Sequence, residues 1–152
     1  MSNTPAEQAL DLVASAHHAT LATHSLDRPG YPFASLVAFA LDQQRRPFLL
    51  LSKLALHTKN VLAEPRSSLL VAAPAATDPQ AAARLTLLGL LRAAASDASL
   101  THAYLTRHPQ AKAYVAFDDF GWYRFEPESC YWVGGFGAIE WLPWPPRVAA
   151  TG

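Results

Sequence analysis

Apolar and polar positions alternate with two different periods along this chain. From Thr4 to Ala16 the period is helical: Ala6, Ala9, Leu10, Val13 and Ala16 share one stripe. Thr4, Pro5 and Glu7 supply a cap, a proline at the first helical position and the return partner of a capping box. From His17 the period falls to two. "HHATLATHS" reads as a strand, "LDRPG" as a turn and "YPFASLVAFAL" as a second strand, so the pair predicts a hairpin. "DQQRRP" turns the chain into "FLLL", a third strand. A short helix around Thr58 to Ala63 stops at Glu64, because the residue before Pro65 is driven out of the helical region. "RSSLLVAA" is a fourth strand.

"ARLTLLGLLRAA" has the leucine content of a helix, but Thr86 and Gly89 in its middle favour a long strand with a bend or bulge at Gly89. "SDASLTHAYLTRHP" is a capped helix ended by Pro109, and "AKAYVAFDDF" a short helical piece. "GWYRFEPESCYWVGGFG" predicts two strands around a turn at Glu126 to Ser129, and residues 142–152 a Pro-rich irregular tail. Short strands with antiparallel turn signals predict a mainly β (α+β) barrel with peripheral helices, in one domain over residues 1–152.

Composition narrows the function classes. Formal net charge is zero and only 16% of residues are charged, so the clustered basic groups that a nucleic-acid binder needs are missing. No apolar run reaches the ~20 residues of a membrane span, and the N-terminus lacks the basic-then-apolar pattern of a signal peptide. The expectation is a cytoplasmic protein. Cys130 is the single cysteine and reads as a buried apolar group, which excludes a disulfide framework. The 51% hydrophobic content is high for so small a chain, and spare apolar surface predicts a homodimer.

The candidate chemistry concentrates in "SKLALHTKN", Ser52 to Asn60. This polar turn joins an apolar strand to a helix start, where unpaired N–H groups and the positive end of the helix dipole favour an anion. His57 and Lys59 add charge and donors. On the residues alone a capped surface helix with solvated side chains is the better explanation of the turn, and the resemblance below is what turns the reading toward a phosphate. Elsewhere the chemistry is sparse. His17 and His18 face opposite ways along a strand, and no four ligands have the spacing of a zinc site, so no metal is expected. Asp118 and Asp119 are adjacent and diverge. Gly134, Gly135 and Gly137 follow a strand but open no helix, which rejects a dinucleotide fingerprint.

Four runs carry a resemblance: "GYPFASLVAFALD", "LLLSKLALHTKNVLAEPRSSLLV", "ARLTLLGLLRA" and "GWYRFEPESCYWVGGFG". In their order and spacing the chain resembles the split-barrel flavoproteins of the pyridoxamine-5′-phosphate oxidase-like superfamily. The last run is most similar to the haem-utilisation branch. The resemblance implies a six-stranded antiparallel split barrel and a homodimer with flavin mononucleotide (FMN) at its interface. It implies an FMN-dependent oxidoreductase acting on a small-molecule redox substrate. Ser35, Leu36 and Val37 match an Arg-x-Val segment that faces the flavin, with Ser35 in place of the phosphate-reaching Arg. Leu50, Leu51 and Ser52 match the strand end along the ribityl chain and phosphate. His57 stands where oxidases carry a phosphate-binding Lys, and Thr58, Lys59 and Asn60 follow it. Arg84 matches a flavin-contacting Gln, and Trp132 a flavin-contacting Trp. Ala138 and Glu140 replace an Arg and a His that grip pyridoxal phosphate, so a true pyridoxamine phosphate oxidase is not expected. The alternatives are a haem-binding protein using the same dimer cleft, or a non-catalytic flavin carrier. Longer haem-utilisation proteins carry a further C-terminal domain, which the Pro-rich tail replaces here.

Overall fold

The computed structural model describes residues 4–75 and 77–148. The chain runs α1 (Pro5–Ser15), β1 (His18–His24), β2 (Pro32–Ala38), β3 (Ala40–Leu41), β4 (Pro47–Ser52), α2 (Leu56–Ala63) and β5 (Arg66–Ala72). It continues through β6 (Arg84–Ala93), α3 (Ala98–Arg107), β7 (Phe120–Val133) and β8 (Ile139–Pro143). The strands form one eight-stranded sheet ordered β2-β1-β5-β6-β7-β4-β3, with β8 also on β7, and every pairing is antiparallel. β2 and β3 stand at the two ends of that order, yet they are one run of chain broken only at Phe39. The sheet therefore curls back on itself into the expected split barrel, with the run from Pro32 to Leu41 serving both edges and β8 added outside the expected six strands.

The capping box of α1 forms: the Thr4 N–H donates to Glu7 Oε2 at 2.7 Å and the Glu7 N–H to Thr4 Oγ1 at 3.2 Å. Leu12, rather than Leu10, completes its buried stripe with Ala6, Ala9 and Val13. Two other expectations change. β7 is one continuous strand, not two around a turn. Its inward positions switch from Tyr123 and Phe125 to Cys130 and Trp132, an odd separation that a single strand can hold only with a bulge. The bulge lies where Leu88 pairs with Ser129 and Gly89 with Pro127, leaving Glu128 as the extra residue. The second change is the tail: Leu142 and Pro143 belong to β8, which pairs with Cys130 and Ser129. Residues 149–152 of the tail lie outside the described residues.

The main core fills the concave face, where Leu21, Val37, Leu49, Leu51, Leu69, Leu87, Phe125 and Trp132 meet Val13 of α1 and Val61 of α2. A second core packs Tyr104 of α3 and Ala111 against Phe48 and Leu50 on the convex face of β4. So α3 covers one half of the convex face. The other half, made by β1, β2, β5, β6, β8 and the end of β7, carries exposed Leu36, Leu70, Leu88, Ile139 and Trp141. No helix among the described residues is long and apolar enough to cross a membrane.

Candidate functional site

The turn from Ser52 to Asn60 is the first candidate, and most of its polar groups are spent within the chain. Ser52 Oγ donates to Asp119 Oδ2 at 2.7 Å and accepts from the Leu54 N–H at 3.1 Å. The Lys53 N–H donates to the Asp119 carbonyl at 2.7 Å. Asn60 is 3% exposed. Its Oδ1 accepts from the Leu26 N–H and its Nδ2 donates to Thr23 Oγ1, both at 3.0 Å. Asn60 thus ties α2 to the β1–β2 hairpin, with its Oδ1 and one Nδ2–H already engaged within the chain. The Asp119 carboxylate beside Ser52 further reduces the attraction of this turn for an anion.

Other features of the same turn favour one. Ala55 caps α2 with no side-chain hydrogen bond. Thr58 Oγ1 is buried without a partner, a state that costs roughly 1–3 kcal/mol. His57 is half-buried, and that burial lowers its pKa, so its ring favours the neutral form. Lys59 is exposed. A cleft of about 570 Å³ opens between α2 and the β1–β2 hairpin, lined by Ser25, Arg28, Tyr31, Phe33, Leu56 and Asn60.

The remaining predicted residues divide by face. Val37, Leu51 and Trp132 belong to the main core, so their side chains cannot meet a ligand on the convex surface. Alternation separates Trp132 from Tyr131 as expected, and Tyr131 is the one facing outward. Leu36 is 76% exposed on the open convex face, with Ser35 half-buried next to it. Arg84 Nη1 donates to the carbonyls of Gln80 and Ala82, which holds the guanidinium over its own loop. Glu140 lies on β8 opposite Trp132. Cys130 is fully buried and burial pushes its thiol up to about 11, so it is inert packing.

The second candidate is the convex face itself. Pairing aligns Leu36, Thr20, Leu70, Thr86, Tyr131 and Trp141 in one row across five pairings. At the hairpin end of this face a cleft of about 380 Å³ is bordered by Ala22, His24, Pro32, Arg66, Ser68, Leu88 and Glu128. Sequence reading passed over His24, because strand alternation gives no sign of what a neighbouring strand places beside it. The signals were Gly89, whose bulge re-aims Glu128, and the outward parity of His18, Thr20, Ala22 and His24.

Known proteins sharpen the picture. The chain is 41% identical over 119 residues to the chloroplastic haem oxygenase HOZ of Arabidopsis thaliana, a match covering 76% of this chain and 36% of that protein. Among solved structures, a haem-binding protein from Mycobacterium smegmatis is 34% identical with a TM-score of 0.85, over 94% of this chain and 59% of that one. A Clostridium acetobutylicum protein of the pyridoxine phosphate oxidase family shares the fold alone, at 14% identity and a TM-score of 0.70 over 91% and 94% of the two chains. The chain therefore spans about a third of the plant protein and somewhat under two thirds of the mycobacterial one. With residues 2–147 matched by its family description, this protein belongs to the CREG β-barrel family.

Proposed function

We propose that this protein binds haem and works as a homodimer, with the haem held against the open convex face. The observation that carries the reading is that face. Leu36, Leu70, Leu88, Ile139 and Trp141 stand exposed on a sheet whose other convex half is covered by α3. Large exposed apolar patches mark ligand or partner surfaces, and a two-fold axis would set the same patch against itself. A flat macrocycle with a polar edge suits a flat apolar sheet bordered by polar side chains. The names of the plant and mycobacterial relatives support haem as the ligand class. Haem would supply the iron and its redox chemistry, and this chain would supply the apolar cover, an iron ligand and partners for the propionates.

FMN at the α2 turn is the second reading. It is favoured by the uncapped helix start and the orphaned Thr58 hydroxyl, and opposed by the internal use of Ser52 and Asn60. The test is a pair of titrations of the purified protein, one with haemin and one with FMN, followed by absorption, with sedimentation giving the oligomeric state. A saturable Soret band from a dimer is expected. Tight FMN binding with no saturable haem band would overturn the haem reading in favour of the second.

A further inference from the structure

Haem iron is held inside its own ring and needs only one or two protein ligands, of which a histidine is the commonest. Among the described residues no three of His, Cys, Asp and Glu gather as a cage for a bare metal ion, so a lone imidazole beside an apolar cleft is the arrangement to look for. His24 and His102 each border a cleft. The one beside His102 is built only by α3 and the turn after it, through Ala98, Thr101, Leu105, Thr106 and Lys112. His57 is half-buried beside α2, and His108 is sealed in, with Nε2 at 2.7 Å from the Phe39 carbonyl.

His24 differs from these. It closes β1 opposite Pro32 of β2, on the outward side of the strand. Its cleft is walled by Ala22, Pro32 and Leu88, and the exposed Leu70 stands on the same face two residues along β5 from Ser68. At about 380 Å³ it can take one edge of a large ligand, since cofactor pockets span roughly 300–1,000 Å³. Beside the cleft, Arg66 Nε pairs with Glu64 Oε1 at 2.6 Å. At the rim, the Arg66 guanidinium and the Ser68 hydroxyl are donors for a propionate. The Ser67 hydroxyl is already spent on the Pro65 carbonyl. Glu128, on the bulge, puts a carboxylate at the cleft's far side and so directs the propionates toward Arg66.

We propose that His24 is the haem-iron ligand of this protein, with Arg66 and Ser68 as propionate partners in the cleft at the hairpin end of the convex face. This rests on the haem reading above. The test is titration of the full chain with haemin, comparing wild type with His24→Ala and, as a control, His57→Ala. Absorption and electron paramagnetic resonance spectra report the iron's coordination, and circular dichroism checks the fold. His24→Ala is expected to shift the Soret band, change the spin state and weaken haemin binding by about tenfold or more, with added imidazole restoring the wild-type spectrum. His57→Ala is expected to leave the spectrum unchanged. A folded His24→Ala protein with wild-type spectrum and affinity overturns the assignment and leaves the haem reading standing. A wild-type protein with no saturable haemin binding removes both.

Discussion

Asn60 offers the sharpest test of whether the α2 turn is architecture or ligand site. Asn60→Ala deletes an acceptor for the Leu26 N–H and a donor to Thr23 Oγ1, two bonds of 3.0 Å around a side chain 3% exposed. Each bond contributes about 1 kcal/mol net, and taking the Asn60 donor from the buried Thr23 hydroxyl costs about 1–3 kcal/mol more, while the exposed Leu26 can turn to water, so the expected loss is about 2–4 kcal/mol in total. Against a domain stability of about 5–15 kcal/mol that is a large fraction. It should concentrate at the hairpin, because Asn60 is the side chain joining α2 to Leu26 across 34 residues of sequence. Urea unfolding followed by tryptophan fluorescence gives the global value. Hydrogen exchange at Leu26 gives the local one and should show loss of protection. Asn60→Asp keeps the acceptor for Leu26 and should recover part of the stability. The reasoning is refuted if Asn60→Ala unfolds within about 0.5 kcal/mol of wild type, the range of an ordinary surface change. Unchanged stability with weakened FMN binding would return Asn60 to the role that the sequence resemblance implied.

Gly89→Ala should be among the most damaging single-methyl changes. A Cβ there would lie 2.1 Å from the Glu126 carbonyl oxygen, in backbone that cannot yield without breaking the bulge, so a loss of about 1–3 kcal/mol or more is expected by thermal unfolding. His108 should make stability depend on pH. Its pKa is lowered chiefly by burial, with the nearby His17 and Arg107 charges adding to the shift and the Phe39 carbonyl opposing it. The unfolded chain takes up this proton near pH 6.5 and the folded chain resists it. Stability is therefore full above about pH 6.5 and falls as the pH drops toward the lowered folded value. His108→Gln should flatten denaturant midpoints between pH 7 and pH 5; an unaltered slope would show that another group sets it.

The order of elements was legible because local chemistry and tertiary packing agree in this chain. Thr4 and Glu7 form the capping box their spacing predicts, Pro65 ends α2, and Gly89 marks an actual bulge. What stayed hidden depends on residues far apart in sequence. The run from Pro32 to Leu41 reads in sequence as one strand, yet it divides at Phe39 because its halves pair with β1 and β4 at opposite sheet edges. The polar turn at Ser52 looked like an open phosphate cradle. Its partners, Asp119 for Ser52 and Leu26 with Thr23 for Asn60, could not be named from the turn itself.

The same limit explains why the cleft at His24 was missed, and the bulge shows how the fold built it. By the parity of Tyr123 and Phe125, position 128 belongs on the convex face; by that of Cys130 and Trp132, it belongs in the core. An unbulged ladder extended back from Trp132 would carry the Glu128 carboxylate inward, toward the layer that holds Leu87 and Cys130. Burying an unpaired carboxylate there would cost several kcal/mol or force its protonation. The one-residue slip at Gly89 removes that conflict and leaves Glu128 exposed beside Ser68, Arg66 and His24. The device that keeps a charge out of the core thus also fills the rim of the cleft with polar groups. An apolar residue at 128 would meet no such conflict and would leave Arg66 and Ser68 as the rim's remaining polar partners. Glu128→Leu should therefore keep the barrel's stability while loosening the orientation of a propionate-bearing ligand, a separation of effects that a purely structural bulge would not produce.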